Sequence, residues 1–245
     1  CDGQYEKGMA HILETYLKNV DQAQQPGVWV SGFYGSGKSH LVKMLRALWE
    51  DSPFPDGATA RGIANTPQSV RDHLKELSTQ AKRHGGLHAA SGTLGAGASG
   101  SVRLALLRII LKSCGLPEQY PVARFVMWLS HEGIHDQVRD RVRKSGFDWD
   151  EELDNFYVAE GLHAALTQAK PALFSSPASC VETLNNLYPY VQDVSSDDMV
   201  KTIRQALTKD GKFPLTLVVL DEMQQYIGED SQRSILVQET VEACC

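Results

Sequence analysis

The sequence predicts an α/β fold, a parallel sheet with helices on both faces, and three observations support it. Val28, Trp29 and Val30 form a short β-prone run that leads into a glycine-containing stretch, residues 32–37, and then into Leu41, Val42, Leu45 and Leu48 at helical spacing. Residues 215–220 are a continuous apolar run rich in valine and leucine, which suits a parallel strand buried on both faces. Between these two runs the apolar spacing is mostly helical. Composition agrees: 245 residues with 42% hydrophobic and 22% charged side chains can build one large core or two small ones, which excludes disorder and fibre. With 24 basic against 30 acidic side chains the formal charge is −6, so bulk charge does not hold nucleic acid, although a local basic groove stays open.

Taken in order, Met9, Ile12, Leu13, Tyr16, Leu17 and Val20 make the apolar stripe of a first, docking helix that ends before Pro26. A strand over 28–31, the glycine loop and a helix follow. Pro53, Pro55 and Gly57 interrupt the chain. Thr66-Pro67 followed by Val70, Leu74 and Leu77 reads as a helix capped by Thr66 that ends near Gly85. Residues 85–101 hold six glycines, with a short strand at about 87–91 leaving into a flexible loop. From 102 to about 207 three helical stripes stand out, around Leu104–Leu111, Phe125–Leu129 and Met199–Leu207. The last strand, 215–220, ends abruptly at Asp221-Glu222.

No apolar run reaches the roughly 18 residues of a membrane span, and no secretory leader precedes the first helix. The five cysteines show neither CxxC nor Cys/His zinc spacing, which suggests a reducing compartment, the cytoplasm. The chain opens on Cys1 and stops at Cys245 within a helical pattern, as a fragment of a longer protein would.

Gly32-Phe33-Tyr34-Gly35-Ser36-Gly37-Lys38-Ser39 matches GxxxxGKS, the phosphate-binding P-loop or Walker A motif. Its glycines let backbone N–H groups converge on phosphate oxygens while the helix that follows presents its positive end. Lys38 would reach the β- and γ-phosphates and Ser39 would place its hydroxyl on Mg²⁺, with His40 close enough in sequence to touch the nucleotide. The flanking order of strand, loop and amphipathic helix is the context this motif requires. At the second strand tip, the Walker B position, Asp221 would enter the Mg²⁺ shell and Glu222 would orient and deprotonate a water. The bland alternative is a solvated acidic turn after a core strand. Together the motifs favour an NTPase with glutamate-assisted hydrolysis over a nucleotide-gated interaction module that hydrolyses slowly or not at all.

A competing pattern is His131-Glu132-Gly133-Ile134-His135, a literal HExxH of the kind that binds zinc in metallopeptidases. Gly133 weakens a helix and Asp136 puts a charge where such helices continue apolar, so His131 and His135 read as surface residues near a helix end. Arg139, Arg141, Arg143 and Lys144 beside Asp136, Asp140, Asp148 and Asp150 read as a solvated face. Phe125, Trp128 and Trp149 read as core. Arg103, Arg108, Arg204 and Arg233 are all candidates for an arginine finger, and nothing in the residues chooses among them.

Residues 28–45 (VWVSGFYGSGKSHLVKML), together with 87–92 (LHAASG), the stretch from Gly115-Leu116-Pro117 to Trp128-Leu129, and Leu220-Asp221-Glu222, resemble the large P-loop ATPase of BREX phage-defence systems, the BrxC and PglY type. The resemblance implies a AAA+-like ATPase that binds ATP and Mg²⁺ and forms oligomers. It also implies work with a methyltransferase and a phosphatase-like protein, in a complex that handles DNA. On this reading residues 1–245 are one partial ATPase domain. Residues 1–101 and 214–245 form its nucleotide-binding core, 102–213 a mostly helical insertion between the two motif strands, and the sensor strand and lid lie beyond residue 245.

Overall fold

In the computed structural model, which describes residues 3–22, 24–33, 35–94 and 101–245, the chain divides into two units. Residues up to 102 together with 196–245 form the first, and 103–195 the second. Tyr34 and the glycine-rich loop expected over 95–100 lie outside the described residues.

The first unit begins with α1 (Gln4–Asn19), whose stripe buries Met9 and Leu13. Tyr16, on the same stripe, meets the Trp49 ring edge-on at 4.8 Å. α2 (Lys38–Glu50) buries Leu41, Leu45, Leu48 and Trp49. A short α3 (Ala60–Ile63), capped by the Thr59 side chain, leads to α4 (Gln68–Ala81), which packs on α1. Pro67, not Thr66, occupies the cap position of α4, and the chain turns at Gly85 after the helix has ended.

β1 (Leu87–Thr93) and β2 (Leu215–Asp221) pair in parallel with Leu87 opposite Leu215 and Thr93 opposite Asp221. Alternation places Leu87, Ala89 and Ser91 on one face with Leu215, Leu217 and Val219. Leu87, Ala89, Leu215 and Leu217 share one hydrophobic cluster with Leu45, Leu48 and Trp49 of α2. The opposite face carries Thr216, Val218 and Leu220, and Val218 remains 38% exposed. Ala90, opposite Val218 on that same face, is fully buried, so part of this face is covered as well. Among the described residues of this unit only α2 packs extensively across the strands.

The expected strand over 28–31 does not form. Residues 25–33 are irregular, Val28 and Trp29 are 52% and 61% exposed, and among the described residues the sheet has two strands. β-propensity measures how a side chain fits a pleated surface that is already there. Without a neighbouring strand to exchange hydrogen bonds, the run has no ladder to join. The unit closes with α11 (Ser196–Leu207), which precedes β2, and with α12 (Met223–Ile227) and α13 (Ser231–Cys244) after it.

The second unit is helical in its described residues: α5 (Val102–Ser113, its first residue assigned to the first unit), α6 (Tyr120–His131), α7 (His135–Lys144), α8 (Trp149–Asp154), α9 (Glu160–Ala169) and α10 (Pro177–Leu187). α6 buries Val122, Phe125, Val126 and Leu129, the i, i+3, i+4, i+7 pattern of a core-facing stripe. Two other helices of the unit start at side-chain caps. Asp148 caps α8, and Ser176 with Ser179 forms a capping box on α10 with Pro177 in the first turn. The Glu152 carboxylate, 8% exposed, accepts the Leu162 N–H at 2.7 Å and ties α8 to α9. No helix among the described residues is long and apolar enough to cross a membrane.

Candidate nucleotide-binding site

The first turn of α2 is preceded by a tight, glycine-dependent loop. Gly35 and Gly37 have φ of +77° and +82°, a region that residues with a Cβ rarely adopt. The Ser36 N–H closes a turn on the Phe33 carbonyl at 3.1 Å, and the Gly37 carbonyl receives the Leu41 N–H as the helix begins. The Lys38 ammonium turns back over the loop and donates to the carbonyls of Gly32 at 2.7 Å and Phe33 at 2.8 Å, with Ser36 Oγ at 3.4 Å. Phe33, Ser39 and His40 are exposed.

Three bonds fix the direction of α2 on the sheet. Trp49 Nε1 donates to the Leu215 carbonyl, the Glu50 carboxylate accepts the Ala89 N–H, and Arg46 donates to Ser91 Oγ. Moving back along the helix therefore moves forward along the strands. From Trp49 to Lys38 the helix climbs about 17 Å at its usual rise, and from Leu215 to Asp221 the strand runs about 20 Å. The helix N-terminus thus comes level with the C-terminal tip of β2, and the Walker A and Walker B residues, 183 positions apart in sequence, share one end of the sheet. This is the edge where ligands bind in open α/β sheets.

At that tip the Asp221 carboxylate accepts the Glu222 N–H at 2.9 Å, and its carbonyl accepts the Leu94 N–H at 3.0 Å. Glu222 is exposed and caps α12 with φ +58° and ψ +24°. A left-handed conformation at a non-glycine residue costs on the order of 1 kcal/mol and clusters at functional sites.

The chain matches the model of the KAP family P-loop domain over residues 6–239. It belongs to that family. The matched range contains both motifs. No solved structure matches the chain. The KAP domain's loop also suits the group it is built for. A Cβ at Gly32 would lie 2.8 Å from Ser36 Oγ, and one at Gly37 would collide with the Tyr5 hydroxyl, so both positions admit only glycine without rearrangement. The Ser39 hydroxyl and the Asp221 carboxylate are hard oxygen donors, the kind Mg²⁺ prefers.

The HExxH residues do not converge. His131 ends α6, Gly133 breaks the chain with φ +68°, and His135 starts α7, so the two histidines stand on different helices. Glu132 is bonded to Lys170, which holds its carboxyl below the usual range, and His135 stacks edge-on against Trp149 at 5.5 Å. Among the described residues no group of three His, Cys, Asp or Glu could hold a metal ion. Three of the four arginine candidates are engaged within their own units, Arg103 with Asp193, Arg108 with Glu118 and Arg233 with Asp230 and the Tyr226 carbonyl. Arg204 is exposed on α11. Of the basic cluster, Arg139 pairs with Asp136 and Arg141 bonds Gln168, as a solvated face does. One residue escaped sequence reasoning, Tyr5, which reaches the loop from a helix more than 30 positions away.

Proposed function

We propose that this domain binds ATP·Mg²⁺ and hydrolyses it. The observation that carries the reading is the shared sheet end, where the glycine loop and the α2 N-terminus lie level with Asp221 and Glu222. Backbone N–H groups of residues 35–39 would hold the phosphates, and the Lys38 ammonium would leave its loop carbonyls for the β- and γ-phosphate oxygens. The Ser39 hydroxyl and the Asp221 carboxylate would hold magnesium, which would supply charge neutralisation at those oxygens. Glu222 would orient and deprotonate the attacking water, and an arginine from a neighbouring subunit would meet charge on the transferring phosphoryl group.

The KAP family match supports the coarser part of this reading, a nucleotide-binding P-loop. The finer part is that the protein serves a BREX-type phage-defence complex, coupling nucleotide state to partners that include a methyltransferase and a phosphatase-like protein. That part rests on the likeness of residues 28–45, 87–92, 115–129 and 220–222. In the same proposal, the helical residues between the motifs are an insertion that offers partner contacts.

Titration with a fluorescent ATP analogue, with and without Mg²⁺, tests the site. Lys38→Ala should abolish Mg²⁺-dependent binding, and Glu222→Gln should keep binding while turnover drops about 10²–10⁴-fold. Unchanged affinity in Lys38→Ala would refute the assignment. Negligible turnover in wild type that Glu222→Gln leaves unchanged, with binding intact, would make the domain a nucleotide-gated switch, and substantial turnover left unchanged would remove Glu222 from the role of base.

A further inference from the structure

Nothing in the phosphate-loop motif calls for a residue outside residues 32–39, yet α1 reaches into it. The Tyr5 hydroxyl donates to the Ser36 carbonyl, and the ring covers Gly37. α1 itself is anchored independently of this contact. Met9 and Leu13 are buried, Tyr16 packs on Trp49, and Ser69 Oγ of α4 donates to Glu6 at 3.3 Å.

We infer that Tyr5 is a positioning residue for the phosphate loop, setting the orientation of the Ser36–Gly37 peptide on which phosphate binding depends. The inference rests on the nucleotide-binding reading and deepens it. A trans peptide is planar, with its C=O and N–H pointing opposite ways. By holding the Ser36 carbonyl toward α1, Tyr5 aims the Gly37 N–H away from α1. Among the described residues that N–H has no protein acceptor. Lys38 grips the Gly32 and Phe33 carbonyls, so the loop is held from two sides by two different helices. The absence of a side chain at Gly37 then has two reasons, its positive φ and the space the tyrosine hydroxyl takes.

The test compares Tyr5→Phe, Glu6→Gln and Lys38→Ala with the wild-type chain, reading affinity for a fluorescent ATP analogue with Mg²⁺ and amide hydrogen exchange without nucleotide. Tyr5→Phe deletes one hydroxyl and keeps the ring. It should weaken binding about 3–10-fold, the usual worth of a single hydrogen bond. Exchange should speed up at residues 35–38 and stay unchanged through α1. Glu6→Gln, which touches the docking of α1 but not the loop, should bind as wild type does. If Lys38→Ala loses binding while Tyr5→Phe matches wild type in affinity and exchange, the inference is overturned and the nucleotide reading stands. Faster exchange along α1 in Tyr5→Phe would make the tyrosine a docking contact only and also overturn the inference. No binding by wild type, or equal binding by all variants, would overturn both.

Discussion

Phe125 in the helical unit and Phe33 in the phosphate loop are the same side chain under opposite conditions, 0% and 91% exposed. Around Phe125, the rings of Phe156, Tyr188 and Trp128 lie at centroid distances of 5.0, 5.6 and 6.0 Å. Around Phe33 there are positive-φ glycines, an exposed Trp29 and a lysine folded onto its own loop. Burying a large apolar side chain contributes roughly 1.5–3 kcal/mol, so the loop forgoes what the helical unit collects. What keeps the loop in shape is polar and comes from α1 and α2. Segments that must meet a ligand belong to the least stable part of a fold, and here that segment is the phosphate loop, set on the buried core of its own unit.

The largest expected effect lies in the aromatic cluster. Phe125→Ala should destabilise the helical unit by about 3–5 kcal/mol, the range for removing a fully buried aromatic ring. Denaturant unfolding followed by fluorescence of Trp128 and Trp149, both in that unit, would measure it. A loss below about 1 kcal/mol would mean that the cluster closes over the cavity, and that the contrast in packing between Phe125 and Phe33 is smaller than their exposures suggest.

Sequence pattern made much of this legible, and each failure has a physical cause. The valine- and leucine-rich run at 215–220 and the short run at 87–91 could be read because flanking turns isolate them. Both are strands. Val28–Val30 has equal β-propensity and stays unpaired, because a strand is made by its neighbour as much as by its residues. The GxxxxGKS spacing located the loop, since glycine requirements are local. The HExxH spacing could be set aside from sequence, because two histidines four apart meet only on one unbroken helix and Gly133, a poor helix former, stands between them; in the structure His131 ends one helix and His135 starts the next. Tyr5 left no local signal: it sits at the start of an ordinary amphipathic stripe, and its partner is a backbone carbonyl, which no side-chain pattern reports.

Glu222 offers a sharper test of how the two units differ, because there conformation and chemistry pull apart. Its left-handed φ of +58° would suit glycine, yet a carboxylate occupies the position. Glu222→Gly should raise the stability of the sheet-containing unit by about 1 kcal/mol by relieving the strain while hydrolysis is lost. Glu222→Ala loses the same carboxylate and keeps the strain, so it should show no such gain. Equal stability of the two variants in denaturant unfolding would mean that the turn holds no strain, and that the site lacks the stability–function conflict seen in its exposure.

The smallest effect concerns His88 on β1, whose pKa burial lowers from its ordinary 6.5, with Lys209 and Arg46 adding to the shift and Glu50 opposing it. The sign follows from which state takes the proton. Below pH 6.5 the unfolded chain binds a proton that the folded strand resists, so this contribution to stability is present above pH 6.5 and is lost as pH falls through the lower folded value. The sheet-containing unit should therefore show a falling denaturation midpoint between pH 7 and pH 5, and His88→Gln should flatten that dependence. Because His88 is half-buried, solvent screens the effect, and it should be smaller than either substitution above. A slope unaltered by His88→Gln would assign the acid sensitivity to other groups. A slope that disappears would mean that a proton at His88 weakens the strand pair that carries Asp221 at its far end.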